Sequence, residues 1–275
     1  MADDSLADFE RTTFTHDGKT RTVFRKGTGP AVIVMAEMPG ITPKVADFAR
    51  KVADIGCTAV MPHLFGRPGY DPTGHGNAAT ARYMLETIAP ICVSREFTVM
   101  ATGKSSPVID WLRALAASEH ERCGGPGVGA IGMCFTGGFA LAMATHPSLL
   151  APVLSQPSLP FAPPWKKQNA HNIDISSAEL DVVKRRCAAE GLTVLGLRFK
   201  GDSFVPAARF DFLREQLGDA FVAVEFDDEH ANPEAKMKNP HSVVTEHLVD
   251  QEGTPTRAAL DQVLDLFRQR LLSVP

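Results

Sequence analysis

The sequence has no dense cluster of basic residues and no large excess of either charge. Its 28 lysines and arginines nearly balance 32 aspartates and glutamates, which gives a net charge of −4 over 275 residues. Nucleic-acid-binding domains are usually basic on at least one face, so this composition argues against a nucleic acid partner. The short run Lys184-Arg185-Arg186 lies in a predicted helix, where we expect it to face solvent.

The sequence also lacks a cysteine framework. Its five cysteines are an odd number and follow no regular spacing, which argues against a secreted disulfide scaffold. The first residues, Met1-Ala2-Asp3-Asp4, are acidic and do not form the charged-then-apolar pattern of a signal peptide. We therefore expect a cytoplasmic protein with free thiols.

Long hydrophobic runs are absent as well. The most apolar stretch, residues 128–144, is short for a membrane span and is interrupted by Gly129, Gly132, Gly137 and Gly138. A buried strand, a tight turn and a buried helix explain it better, so we expect no membrane partner. The spacings HExxH and CxxC do not occur, which leaves little support for a metal site. We expect neither a metal nor a cofactor.

The rest of the chain alternates short apolar runs with helical patterns. Such alternation predicts βαβ units and a mostly parallel sheet, here in a single α/β domain over residues 1–275. Four helices are predicted to begin at a residue–proline pair: Thr42-Pro43, Ser106-Pro107, Val205-Pro206 and Thr254-Pro255. The strands are predicted at 31–36, 58–61, 128–133, 152–155, 193–199 and 221–226. Segments 66–104 and 156–175 do not fit the alternation and are candidate lids or insertions.

One glycine-rich motif carries chemistry. Gly132-Met133-Cys134-Phe135-Thr136-Gly137 has the form G-x-C-x-x-G, close to the G-x-S-x-G nucleophile elbow in which a strand turns sharply into a helix. The residue at the apex projects from the sheet edge and lies at a helix N-terminus, which favours a thiolate. The backbone N–H of Phe135 points to where an oxyanion would form. The alternative is a buried structural cysteine, which is the expected state of Cys57, Cys92, Cys123 and Cys187 where they are not simply exposed.

A thiol nucleophile needs a base and an acid that orients it, and in this fold they follow in the order nucleophile, acid, histidine. Asp202 comes directly after the predicted strand 193–199 and before a helix. His241 lies on a late loop before the last helix, and His230 and His247 are its rivals. By itself, Asp202 is also a good turn residue and His241 an ordinary surface histidine, so the prediction depends on their order.

At this point the sequence resembles the dienelactone hydrolase family, whose fold is that of the α/β-hydrolases. The likeness extends from His16-Asp17-Gly18 to the last helix. It is carried by Val32-Ile33-Val34-Met35-Ala36-Glu37, by Ala59-Val60-Met61-Pro62, by the cysteine elbow, by Gly201-Asp202-Ser203-Phe204-Val205-Pro206 and by Pro240-His241-Ser242.

The resemblance implies a hydrolase that cleaves a small ester or lactone through a thioester. Cys134 would be the nucleophile, His241 the base and Asp202 its partner. The resemblance also implies that Glu37 interacts with the resting thiol until substrate binds. The N–H of Met38 would join that of Phe135 as the second donor to the oxyanion.

The sequence departs from this family at the residues that hold a substrate carboxylate. The family has an arginine four residues after the catalytic histidine, where this chain has Thr245. Arg82 and Arg95 are candidates for a second substrate-binding arginine. A small ester or lactone is therefore predicted, whereas a dienelactone is not established.

Two other functions remain open from the sequence. One is a non-catalytic α/β-hydrolase-fold protein that binds a small molecule without turning it over. The other is a metal-dependent hydrolase that uses Asp227, Asp228, His230, His241 and His247. The sequence does not indicate the oligomeric state.

Overall fold

One eight-stranded sheet contains every strand in the described part of the computed structural model, which covers residues 2–94, 96–97 and 102–273. The spatial order is β1-β2-β4-β3-β5-β6-β7-β8; β1 and β2 are antiparallel to their neighbours, and β3 to β8 are parallel. The strands are β1 (Glu10–His16), β2 (Lys19–Lys26), β3 (Ala31–Met35), β4 (Thr58–Pro62), β5 (Val128–Met133), β6 (Leu149–Ser155), β7 (Val194–Phe199) and β8 (Phe221–Phe226).

Seven α-helices accompany these strands in the described residues. They are α1 (Pro43–Asp54), α2 (Asn77–Val93), α3 (Val108–Cys123), α4 (Phe139–Met143), α5 (Ser177–Glu190), α6 (Ala207–Leu217) and α7 (Pro255–Phe267). Helix α1 shows why they begin where they do: the Thr42 side chain accepts the Val45 N–H, and Pro43 occupies the first helical position. None of the helices in these ranges is long and apolar enough to cross a membrane.

The helices cover both faces of the sheet. Alternate residues of β3 belong to different hydrophobic clusters: Ile33 and Met35 pack in one with α3 and α4, and Val32 and Val34 in the other with α1 and α7. A strand that is buried on both faces must be apolar at every position, which is why Ala31–Met35 reads as a continuous apolar run. The predicted mostly parallel sheet with flanking helices is therefore confirmed.

The surface prediction for the basic run in α5 is wrong for one residue. Arg186 is buried, and its guanidinium donates to the carbonyl oxygens of Ala144, His146, Pro147 and Leu149. These carbonyls follow α4, where the chain turns back into β6, and a planar group with five donors can serve several of them together. The irregular segment after residue 66 contains α2, and β6 begins three residues earlier than predicted, at Leu149.

Candidate active site

The parallel strands end at one edge of the sheet, and the residues that follow them face each other there. Glu37 follows β3, Cys134 follows β5, Gln156 follows β6 and Asp202 follows β7. In open α/β sheets this edge is where ligands generally bind.

Cys134 stands at the apex of the turn between β5 and the helical segment that follows. Its φ is +53°, in the left-handed region that non-glycine residues rarely adopt unless the surroundings impose it. A side chain at Gly132 would place its Cβ 2.0 Å from the Thr136 carbonyl oxygen, and one at Gly137 would place it 2.4 Å from the Pro157 Cα. The turn therefore requires both glycines, and it leaves the Cys134 side chain partly exposed.

The hydroxyl of Thr136 joins this turn to the neighbouring strand β3. Its Oγ1 accepts the N–H of Met133 at 3.0 Å and lies 2.9 Å from the Met35 carbonyl oxygen and 3.3 Å from that of Ala36. Thr136 stands where the usual elbow has its second glycine. Because Ala36 directly precedes Glu37, this hydroxyl fixes the end of β3 relative to Cys134.

Asp202 and His241 form a buried, hydrogen-bonded pair. The Nδ1 atom of His241 lies 2.6 Å from Asp202 Oδ2, and the residues are 5% and 4% exposed. The second carboxylate oxygen, Oδ1, accepts the N–H of Phe204 at 2.9 Å, which sets the plane of the carboxylate. The Phe204 ring also contacts the His241 ring edge-on, with centroids 5.5 Å apart. Both the position and the orientation of the imidazole are thus fixed.

The other ring nitrogen of His241, Nε2, is buried and has no hydrogen-bond partner among the described residues. Burial disfavours the charged imidazolium. The interactions of the ring with Cys134 and with the Asp202 carboxylate outweigh that cost and raise the pKa of His241 well above its ordinary value. Cys134 is therefore close enough to affect the protonation of this ring.

His247, a rival for the role of base, instead holds the loop that carries His241. Its Nδ1 accepts the backbone N–H groups of His241 at 3.3 Å and of Ser242 at 3.1 Å, while its Nε2 lies 2.8 Å from the Met237 carbonyl oxygen. This pattern requires a neutral ring with the proton on Nε2. Burial accordingly lowers the pKa of His247 below its ordinary value. The third histidine, His230, lies partly exposed in a short 3-10 segment.

Glu37 is buried in a network of neutral donors. Its Oε2 accepts from Gln156 Nε2 at 3.1 Å and from Ser242 Oγ at 2.5 Å, and its Oε1 accepts from the Thr245 hydroxyl. No hydrogen bond joins Glu37 to Cys134 within the described chain. Thr245, which replaces the family's arginine, thus binds this carboxylate.

The two backbone N–H groups predicted to bind an oxyanion are those of Phe135 and Met38. Neither donates a hydrogen bond within the described residues. Phe135 directly follows Cys134 in the turn, and Met38 follows Glu37 at the end of the adjacent strand β3. Both donors are therefore available at the same sheet edge.

Of the two candidate arginines, only Arg82 is among the described residues, and it is not brought to this site. Arg82, on α2, is exposed and pairs with Glu86 four residues later. Arg95 lies outside the described residues. Within the described ranges, no group of three or more His, Cys, Asp or Glu side chains is placed to hold a metal ion.

The other described cysteines do not resemble Cys134. Burial raises the pKa of Cys57 to about 11 and also raises that of Cys187. Cys123 is partly exposed at the end of α3, and the side chain of Cys92 lies outside the described part of the structure.

A cavity of about 340 Å³ lies beside this edge and is bounded by Glu37, Met38 and Ser242. Thr80 and Met84 of α2 also line it, so segment 66–104 contributes to it. A volume of this size falls at the lower end of the range for small-molecule sites.

Segment 156–175 packs against the Cys134 turn and is tied down by a buried arginine. The guanidinium of Arg209 on α6 is fully buried and donates to the carbonyl oxygens of Pro157 at 2.8 Å, Pro160 at 2.6 Å, Asn169 at 3.2 Å and Asn172 at 2.8 Å. No carboxylate hydrogen-bonds this guanidinium in the described structure, and burial lowers the pKa of Arg209 to about 10.

The sequence offers no reason to assign a role to Gln156, Ser158 or Ser242, which all lie in this site. Ser158 is buried and its Oγ lies 3.5 Å from Cys134 Sγ. The available signal was positional: Gln156 and Ser158 directly follow β6, the strand that pairs with the strand carrying the elbow. Serine and glutamine in a proline-rich loop otherwise resemble any polar surface segment.

The comparisons with known proteins found one matching family model and several solved structures of the same fold. The model of the dienelactone hydrolase family matches residues 19–227. A candidate dienelactone hydrolase from Klebsiella pneumoniae subsp. pneumoniae MGH 78578 is 18% identical with a TM-score of 0.58, covering 95% of this chain and 98% of that one. The dienelactone hydrolase of Anabaena variabilis ATCC 29413 is 16% identical with a TM-score of 0.52, covering 96% and 99%.

A third similar structure is P91, a dienelactone hydrolase-like promiscuous phosphotriesterase from metagenomic libraries. It is 15% identical with a TM-score of 0.57, covering 96% of this chain and 98% of its own. At these identities the structures establish the α/β-hydrolase fold. No curated protein matches the chain.

Proposed function

This chain belongs to the dienelactone hydrolase family, and from that premise we propose that it hydrolyses a small carboxylic ester or lactone through Cys134, His241 and Asp202. The observation that carries the proposal is the state of the imidazole of His241. Its Nδ1 is bound by Asp202 at 2.6 Å, and its Nε2 is buried without a hydrogen-bond partner in the described chain. The interaction of the ring with Cys134 helps to raise its pKa. This is the arrangement expected of a nucleophile, a base and an orienting acid.

In the proposed acylation, Nε2 of His241 takes the proton from the Cys134 thiol, and the sulfur attacks the acyl carbon. The N–H groups of Phe135 and Met38 donate to the oxyanion of the tetrahedral intermediate. The bond from carbon to the leaving oxygen then breaks, and His241 returns its proton to that oxygen. An acyl thioester on Cys134 remains.

In the proposed deacylation, His241 takes a proton from water while the water oxygen attacks the thioester carbon. The carbon–sulfur bond breaks, the acid product leaves, and the proton on Nε2 is again shared with the sulfur of Cys134. Asp202 stabilises the imidazolium in both halves of the reaction. Glu37 is proposed to keep the end of β3, and with it the N–H of Met38, in place through its bonds to the loop of His241.

The substrate is proposed to be small and without a carboxylate near Thr245. The cavity beside Glu37 is about 340 Å³, and the position of the family's arginine holds a hydroxyl that donates to Glu37. A small-molecule substrate needs no nucleic acid or membrane partner.

We also propose that the chain acts as one domain, because all described strands share one sheet. Segment 156–175 is proposed to be a fixed wall of the site rather than a moving lid. Arg209 binds carbonyl oxygens along its length, from Pro157 to Asn172, and opening the segment would leave a buried cation without partners.

The test is hydrolysis of a short-chain nitrophenyl ester by the wild type and by Cys134→Ala. We expect Cys134→Ala to lower kcat/KM by about 1000-fold or more, as for loss of a catalytic nucleophile. Cys187→Ala is the matched control, since burial raises the pKa of that thiol, and it should retain wild-type activity. Equal turnover by Cys134→Ala and the wild type would contradict the proposal.

Two further measurements, hydrolysis of a phosphotriester and binding of esters, identify the reaction class. A phosphotriester is included because P91 is a promiscuous phosphotriesterase of similar structure. Turnover of the phosphotriester but of no carboxylic ester or lactone would replace the proposed substrate class. Binding of esters with no turnover at all would indicate a non-catalytic binding protein.

A further inference from the structure

We propose that Ser158 is a further catalytic residue, whose hydroxyl donates a hydrogen bond to the sulfur of Cys134 and stabilises its thiolate. This inference rests on the proposed function, because it assigns Ser158 to the atom that would attack the substrate. The Ser158 Oγ lies 3.5 Å from Cys134 Sγ, at hydrogen-bond distance for an oxygen–sulfur pair. The proton stays on Ser158 throughout, so this residue contributes charge stabilisation and not proton transfer.

The hydroxyl of Ser158 has no other role in the part of the chain that the structure describes. Ser158 is fully buried, and the Cys134 sulfur is the only hydrogen-bond partner of its Oγ among the described residues. Burying a hydroxyl without a partner is unfavourable, and alanine would fill the same space without that cost. The contact with the nucleophile is therefore the interaction that this serine makes possible.

The backbone around Ser158 is held in place before any substrate binds. Its N–H donates to the Cys134 carbonyl oxygen at 2.9 Å, and the carbonyl oxygen of Pro157 accepts from Arg209 at 2.8 Å. Pro157 packs so closely on Gly137 that a Cβ there would come within 2.4 Å of the Pro157 Cα. A donor fixed in this way needs no reorganisation as charge develops, which is the condition for effective electrostatic stabilisation.

The titratable groups on the neighbouring elements have other roles, so Ser158 is the hydroxyl donor proposed for the Cys134 sulfur. His241 lies on the loop after β8 and is hydrogen-bonded to Asp202. In the proposed reaction it changes the charge on the Cys134 sulfur by taking or returning the thiol proton. Glu37, at the end of β3, has both carboxylate oxygens bound to other side chains. In the thioester the sulfur is uncharged, so the Ser158 bond is strongest in the thiolate states that precede attack and accompany departure.

The experiment measures alkylation of Cys134 by iodoacetamide against pH in the absence of substrate, with the modified peptide quantified by mass spectrometry. Ser158→Ala should move the midpoint of the alkylation profile upward by about one pH unit, the size expected for losing a hydrogen bond to a charged group. Ser158→Thr keeps a hydroxyl and should retain the wild-type midpoint. Ser158→Gly also removes the hydroxyl and is measured as a second variant, so that the result does not depend on one substitution.

The matched control is Thr58→Val, which removes a buried hydroxyl at the start of β4, on the opposite edge of the sheet. It should leave the midpoint unchanged, so a common shift in Thr58→Val and Ser158→Ala would overturn the proposal. A wild-type midpoint in both Ser158→Ala and Ser158→Gly would also overturn it. Neither result affects the Cys134→Ala activity test, so failure of this inference is distinguishable from failure of the proposed function.

Discussion

Replacing Asp202 by asparagine tests the proposed pair of Asp202 and His241 through the tautomer of the imidazole. In the wild type, Oδ1 accepts the Phe204 N–H at 2.9 Å and Oδ2 lies 2.6 Å from His241 Nδ1. An asparagine that keeps its carbonyl oxygen on the Phe204 N–H must turn its NH2 group toward Nδ1. Because two donors cannot share a bond, the ring would carry its proton on Nε2, where it can no longer accept the Cys134 proton.

The expected loss is large because both partners are buried and the ring has no other way to be oriented. The corresponding change in serine hydrolases lowers kcat by about 10⁴-fold, which is about 5.5 kcal/mol of activation free energy, and we expect the same order here. The change in shape is minimal, so the fold should be retained.

The assay is kcat/KM for a short-chain nitrophenyl ester, with the melting temperature as a check on folding. Asp227→Asn is the matched control: that residue lies on the same sheet edge, is 60% exposed and pairs with Lys200, and its loss should change little. A folded Asp202→Asn enzyme within about tenfold of wild-type kcat/KM, which is only about 1.4 kcal/mol, would refute the reasoning.

Three further predictions follow from the buried charges and histidines. Arg209→Lys should lower the free energy of unfolding by about 3 kcal/mol, because one ammonium cannot donate to all the carbonyl oxygens that accept from the guanidinium. In the same denaturation experiment, Arg214→Lys on the exposed face of α6 is the control and should have little effect. Cys134→Ala should lower the pKa of His241 in an NMR titration, since the interaction of the ring with Cys134 helps to raise it; an unchanged value would show that the two groups do not interact. Burial lowers the pKa of His247, so as the pH drops this histidine is protonated in the unfolded chain before it is protonated in the folded protein. The free energy of unfolding should therefore fall as the pH drops below about 6.5. His247→Gln should reduce the difference in unfolding free energy between about pH 7.5 and about pH 5.5, and an equal difference in both proteins would contradict the prediction.

Several parts of the candidate site were predictable because their signals are local. A turn that allows no Cβ at positions 132 and 137 needs glycine there, so the glycines around Cys134 identify the elbow from the amino-acid sequence alone. Asp202 and His241 were found from their order along the chain after predicted strands. Their pairing at 2.6 Å agrees with that expectation, while their catalytic roles stay a proposal.

Other features carry no local signal. The sequence near Arg186 reads as an exposed basic run, and Arg209 reads as an ordinary helix residue, yet both guanidiniums are buried. Each binds carbonyl oxygens from segments that are distant in sequence, and which carbonyls are left without partners depends on how loops meet helices. Composition and periodicity record the apolar face of a helix but not the unpaired carbonyls that it covers.

The sequence by itself determined the alternation of strands and helices and the turn that presents Cys134, because each depends on residues close together in the chain. It also determined the order of the predicted partners, which is read directly along the chain. Only the tertiary structure decided that Ser158 lies against the sulfur, that Thr245 binds Glu37 and that His247 holds the loop of His241. These contacts join the ends of different strands. They follow from the register and order of the sheet, which bring together polar side chains that are far apart in the sequence.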